Sequence, residues 1–110
     1  MEFTINIGLL NNTKNEKELL QYLRSINGYK VVKAFKAVSV YDNCVEPTVV
    51  ALLSTDYKRV SKVVNDIENL CSVLTQECIA ISSDQFDLLV YNISYTGAKQ
   101  KFNSEYFLTI

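Results

Sequence analysis

Phe3-Thr4-Ile5-Asn6-Ile7-Gly8-Leu9 alternates apolar with polar or small residues, the two-residue rhythm of a strand that buries one face. Phe3, Ile5, Ile7 and Leu9 form the apolar face. Thr4, Asn6 and Gly8 fall on the other, which this pattern predicts to be wet or lightly covered. Downstream the rhythm becomes helical, at Leu19, Leu20, Leu23 and Ile26. Either Thr13 with Glu16 or Asn15 with Glu18 can form a capping box at the start of this helix, and Asn27-Gly28 can end it. Two strand-like runs follow, Val31 to Tyr41 and Thr48 to Ser54, with Asp42 to Pro47 expected as the loop between them. The first run carries Lys33 and Lys36 on opposite faces, as suits a sheet edge. The second is apolar on both faces, as suits a strand covered on both sides.

The strongest period in the chain comes next, at Val60, Val63, Val64, Ile67, Leu70, Cys71 and Leu74, a helix that Asp56 or Thr55 could cap. A strand then begins at Cys78-Ile79-Ala80-Ile81. Ser83-Asp84-Gln85 reads as a turn, and Phe86 to Asn92 as a hairpin partner or an extension. The order is β-α-β-β-α-β. It predicts an α+β, ferredoxin-like sandwich with two helices on one face of an antiparallel sheet. Residues 1–93 form the domain in this reading. Residues 94–110 form an aromatic-rich C-terminal extension, too apolar for a free tail and expected to dock on the domain or on a partner subunit.

Bulk composition narrows the function classes. With 110 residues, 48% apolar and 21% charged, the chain matches one ordinary globular domain rather than a disordered segment. A formal charge of -1 provides no overall field for nucleic acid or anionic lipid. The longest uncharged apolar runs are far shorter than a membrane span. Met1-Glu2-Phe3-Thr4 is acidic and enters a strand at once, which is not the pattern of a signal peptide. Cys44, Cys71 and Cys78 are odd in number and unpaired by spacing, so reduced thiols and a cytoplasmic location are expected.

Catalytic constellations are sparse. The chain has no histidine, which removes the usual neutral-pH base and the common nucleophile pairs. No C-x-x-C pair and no glycine-rich phosphate loop is present, so neither metal nor cofactor is implied. Glu16 and Glu18 suit a helix N-terminus, Asp84 and Asp87 a turn, and Glu46 a solvated loop. RNA-recognition motifs share the element order, but their third strand carries stacking rings; Thr48-Val49-Val50-Ala51-Leu52-Leu53 carries none, which argues against nucleic acid.

Three segments, Glu46-Pro47-Thr48-Val49-Val50, Leu74-Thr75-Gln76-Glu77-Cys78-Ile79-Ala80-Ile81 and Phe102-Asn103-Ser104-Glu105-Tyr106-Phe107-Leu108, resemble a set of short uncharacterised proteins from bacteria and their phages. The resemblance covers about half the chain. Lys99-Gln100-Lys101 stands where that set carries Trp-Gly. It implies a phage or mobile-element setting and no particular chemistry.

Seven tyrosines, with the aromatic tail, favour a contact surface over an active site. The sequence therefore points to a small non-enzymatic binding protein that occludes a host protein, with self-association into a homo-oligomer, a dimer, expected as well. Its contact candidates are Tyr41, Tyr57, Arg59, Tyr95, Phe102, Tyr106 and Phe107. The alternative is a small-ligand or nucleotide-binding regulatory domain, with an anion held at Asp56-Tyr57-Lys58-Arg59 near a subunit interface.

Overall fold

The computed structural model describes residues 1–10, 12–41 and 43–92. The elements are β1 (Glu2–Gly8), α1 (Glu16–Ser25), β2 (Tyr29–Tyr41), β3 (Cys44–Thr55), α2 (Val60–Leu74), β4 (Cys78–Ser82) and β5 (Asp87–Tyr91). Five strands make one sheet in the order β2-β3-β1-β4-β5, with every neighbouring pair antiparallel. This is a small α+β fold. The expected six-element plan with four strands is not the architecture found: the sheet has five strands in seven elements. The extra strand follows from the turn at Ser83. The Ser83 N–H donates to the Phe86 carbonyl at 2.8 Å and the Ser83 hydroxyl accepts from Gln85 N–H at 3.0 Å, which folds β5 back beside β4.

One face of the sheet carries the core. Phe3, Ile5 and Ile7 of β1, Val49, Ala51 and Leu53 of β3, and Ile79 and Ile81 of β4 meet Leu19 and Leu23 of α1 and the whole α2 stripe. Each helix buries only the side that its periodicity marks. The first helix starts on a complete capping box. Asn15 Oδ1 accepts from Glu18 N–H at 2.9 Å, and Asn15 N–H donates to Glu18 Oε1 at 3.1 Å. Thr13 instead ties the approach to α1 to the end of α2, its hydroxyl donating to the Val73 carbonyl at 3.2 Å.

The second helix starts differently from expectation. Its N-cap is Arg59, without a side-chain cap bond. Thr55 is held in β3, where its hydroxyl donates to the Gly28 carbonyl at 2.8 Å and accepts from Tyr57 N–H at 3.2 Å. It staples the end of β3 to the start of β2 and is not free to cap.

The β2–β3 hairpin is longer than the sequence suggested. Cys44 to Pro47 is strand rather than loop: Tyr41 pairs with Cys44, Val40 with Val45 and Val38 with Pro47. Asn43 takes φ 63°, a left-handed conformation that asparagine tolerates in tight hairpin connections. Pro47 fits inside the strand because its carbonyl accepts from Leu9 N–H at 2.9 Å. Backbone groups of one strand residue point the same way, so its missing N–H faces the end of β1 and no bond to β2 is lost.

A candidate protein-binding edge on β2

In the sheet order β2 is an edge strand, 13 residues long, with no strand beyond it among the described residues. The orientation of Pro47 makes its pair with Val38 a non-hydrogen-bonded one. Stepping by two along β2 then sends the backbone N–H and C=O groups of Ala34, Lys36 and Val38 away from β3. These groups face outward in a row. A register shift between Val31 and Lys33 marks where the regular row begins.

The side chains along this row are of two kinds. Val32, Phe35 and Val38 are 46%, 48% and 42% exposed, and Val45 opposite the far end of β2 is 65% exposed. Lys30, Lys33 and Lys36 are exposed among them, and β2 contains no carboxylate. Lys36 Nζ lies 3.4 Å from Glu16 Oε1, but with 69% of its side chain exposed this pair contributes little. The edge therefore combines unpaired backbone, exposed apolar side chains and a purely positive charge. Beyond Gly8, where β1 ends opposite Thr48, the hairpin runs on as an arm. Glu46 braces its base. It lies in β3 and is half-buried rather than solvated as expected, accepts from Leu10 N–H at 3.3 Å, and fills the space over Gly8 where any Cβ would clash.

Of the residues predicted as contacts, Tyr57 and Arg59 are the two whose side chains are described. Tyr57 is half-buried and packs on Tyr29 with ring centroids 5.7 Å apart, while Lys62 Nζ lies 5.0 Å from its ring centroid. Its ring also lies against Gly28, so Tyr57 has a packing role. Arg59 is exposed at the head of α2, beside the end of the sheet where Tyr29 pairs with Thr55. Tyr41 closes the opposite end of β2, and its side chain lies outside the described residues, as do Tyr95, Phe102, Tyr106 and Phe107. In sequence the exposed Phe35 and Val38 continue an alternation that elsewhere means core, and the interleaved lysines are the feature that marks the edge.

A second polar group sits between α2 and the sheet. Tyr29 Oη donates to Asp66 Oδ2 at 2.5 Å, and Lys62 Nζ donates to Asp66 Oδ1 at 3.1 Å. Burial, then the bond to Asp66, push the Tyr29 phenol well above its ordinary range. A small cleft here is lined by Ile26, Tyr29, Leu53, Asp66, Ile67 and Leu70. Its two polar groups already engage each other, and a phenol held protonated is a poor base. Neither Glu46 nor Asp84 lines it. Cys71 is buried, donates to the Val90 carbonyl at 3.5 Å, and has its thiol pushed up to about 12, chiefly by burial. It is a core residue, unreactive as placed.

No group of three or more metal-ligating side chains comes together among the described residues, and no described helix is long and apolar enough to cross a membrane. A scan against protein-family models matched no family, and searches of curated proteins and of solved structures returned no match.

Proposed function

We propose that this chain is a protein-binding module whose β2 edge takes up an extended, acidic segment of a partner as a sixth strand, and that it acts by occluding that segment. The observation that carries the reading is the row of outward backbone groups on a 13-residue edge strand with three lysines and no carboxylate. Main-chain bonds along such an edge supply affinity, and side chains on alternate positions supply selectivity. Lysines on an edge discourage pairing with a like-charged strand. A carboxylate-bearing strand meets no such barrier, so the same charge that excludes a second copy selects an opposite partner. A homodimer, expected from the sequence, would accordingly form through another surface. The resemblance to short bacterial and phage proteins supports a host protein as the target. We also propose that β1 to β4 with the two helices form a ferredoxin-like unit to which β5 is an addition, a reading that the position of β3 between β1 and β2 supports.

The probe is a panel of ten-residue peptides alternating valine with glutamate, with lysine and serine versions as controls, titrated into the isotope-labelled full chain. The acidic peptide should shift β2 amides and slow hydrogen exchange at Ala34, Lys36 and Val38. Equal response to all three peptides, or shifts confined to other elements, would refute the reading.

A further inference from the structure

The β2 edge has two sides, and its lysines are divided between them. Phe3, Ile5 and Ile7 of β1 pair with Leu53, Ala51 and Val49 on the helix-covered face. Leu52 and Val50 therefore lie on the other face, and with them their β2 partners Lys33 and Phe35. Lys36 pairs with Val49, and its Nζ lies 3.4 Å from Glu16 Oε1 of α1, which places it on the helix side. Val38 shares that side. Lys33 and Lys36 thus stand three residues apart, one on each side of the sheet. Burial limits the contacts further. Ala37 and Ser39, on the same face as Phe35, are 9% and 8% exposed, and Asn6 of β1 is 6% exposed, so this is not the wet face that the alternation of β1 predicts. Between Lys33 and Ser39, an added strand meets exposed side chains on that face at Lys33 and Phe35.

We infer that the segment taken up on β2 carries two carboxylates three residues apart, one for Lys33 and one for Lys36, with an apolar side chain between them for Phe35. This spacing rests on the edge reading and adds to it the pattern of the partner's charges. Side chains of an extended strand alternate, so carboxylates on alternate positions all fall on one side and reach one of the two lysines. An odd spacing sends one carboxylate to each side. Three is the spacing at which both stand directly opposite a lysine, where cross-strand charges interact best. The residue opposite Phe35 follows the carboxylate that meets Lys36 and points the other way, towards the exposed ring. Glu16 does not withhold Lys36 from a partner, because an ion pair so exposed is worth little.

The test uses the full chain and two nine-residue peptides of identical composition. One repeats Glu-Val-Ser; the other has its three glutamates on alternate positions. Affinities are read by fluorescence anisotropy, and hydrogen exchange at Ala34, Lys36 and Val38 is followed alongside. The Glu-Val-Ser peptide should bind about threefold tighter, the scale of one added cross-strand ion pair. Lys33→Gln and Lys36→Gln, both at exposed positions, should each bring the two peptides to equal affinity. A preference that survives either substitution would overturn the assignment of the carboxylates to these lysines. Equal affinity for the unsubstituted chain, with exchange at the three amides slowed by both peptides, would overturn the spacing and leave the edge reading standing. Exchange unchanged by either peptide would overturn both.

Discussion

At the scale of single residues, two positions test the end of the molecule where β2 begins. Gly28 has φ 91°, and a Cβ there would sit 2.8 Å from the Tyr57 ring. Gly28→Ala should cost about 1–3 kcal/mol in urea unfolding, from backbone strain and displacement of the ring. Tyr29 and Cys71 are both weaker acids folded than unfolded, so folding holds their protons and each contributes stability that falls as pH rises. For Cys71 that contribution is full below about pH 9 and lost towards about 12; for Tyr29 the loss begins near pH 10. Stability measured by denaturant should therefore decline through this window, and Tyr29→Phe should make the decline shallower above pH 10. Parallel curves for the two proteins would show that Tyr29 titrates normally.

The elements differ in how openly their sequences declare them. Asn15 and Glu18 carry the first capping box in their spacing, and the structure completes it. Asn15→Ala should lower stability by about 1 kcal/mol, measured by thermal and urea unfolding. Pro47 shows the opposite case. Read alone, a proline suits a loop or the first residue of a strand, and the sequence places Pro47 at the end of an expected loop, where it can open the next strand. What decides its place is the neighbour it faces, and β1 has ended there. Pro47→Val should change stability by no more than about 0.5 kcal/mol, because no ladder bond is gained or lost. A loss of several kcal/mol would mean that the missing N–H is not where the Leu9 bond places it. The cap of α2 was similarly hidden: Thr55 has the chemistry to cap, but its hydroxyl is committed to Gly28 across the sheet. Local spacing shows which groups could bond; only the tertiary arrangement assigns them.

For the whole molecule, the alternating periods were enough to place the core face, the two helices and the edge position of β2. They were not enough to count the strands, since Phe86 to Asn92 reads equally as an extension of β4. Nor could they show what an exposed apolar residue is for. Phe3 and Phe35 each sit in an alternating strand, yet the first is 1% exposed and the second 48%, because Phe3 lies on the helix-covered face of a central strand and Phe35 on the opposite face of an edge strand. Three lysines on β2 within a chain of net charge -1 leave the opposite charge to the rest of the molecule, so recognition at this edge should be local and sensitive to salt. Affinity of the full chain for an acidic strand should drop about tenfold for Lys33→Glu with Lys36→Glu, and should be unchanged for Asp84→Lys in the β4–β5 turn, at the opposite edge of the sheet. The most direct measurement is residue-resolved hydrogen exchange of β2 with and without the alternating valine–glutamate peptide. Slowed exchange at Ala34, Lys36 and Val38, abolished in the double charge-reversal variant, is the predicted result. Unchanged exchange at those three amides under saturating peptide would contradict the account.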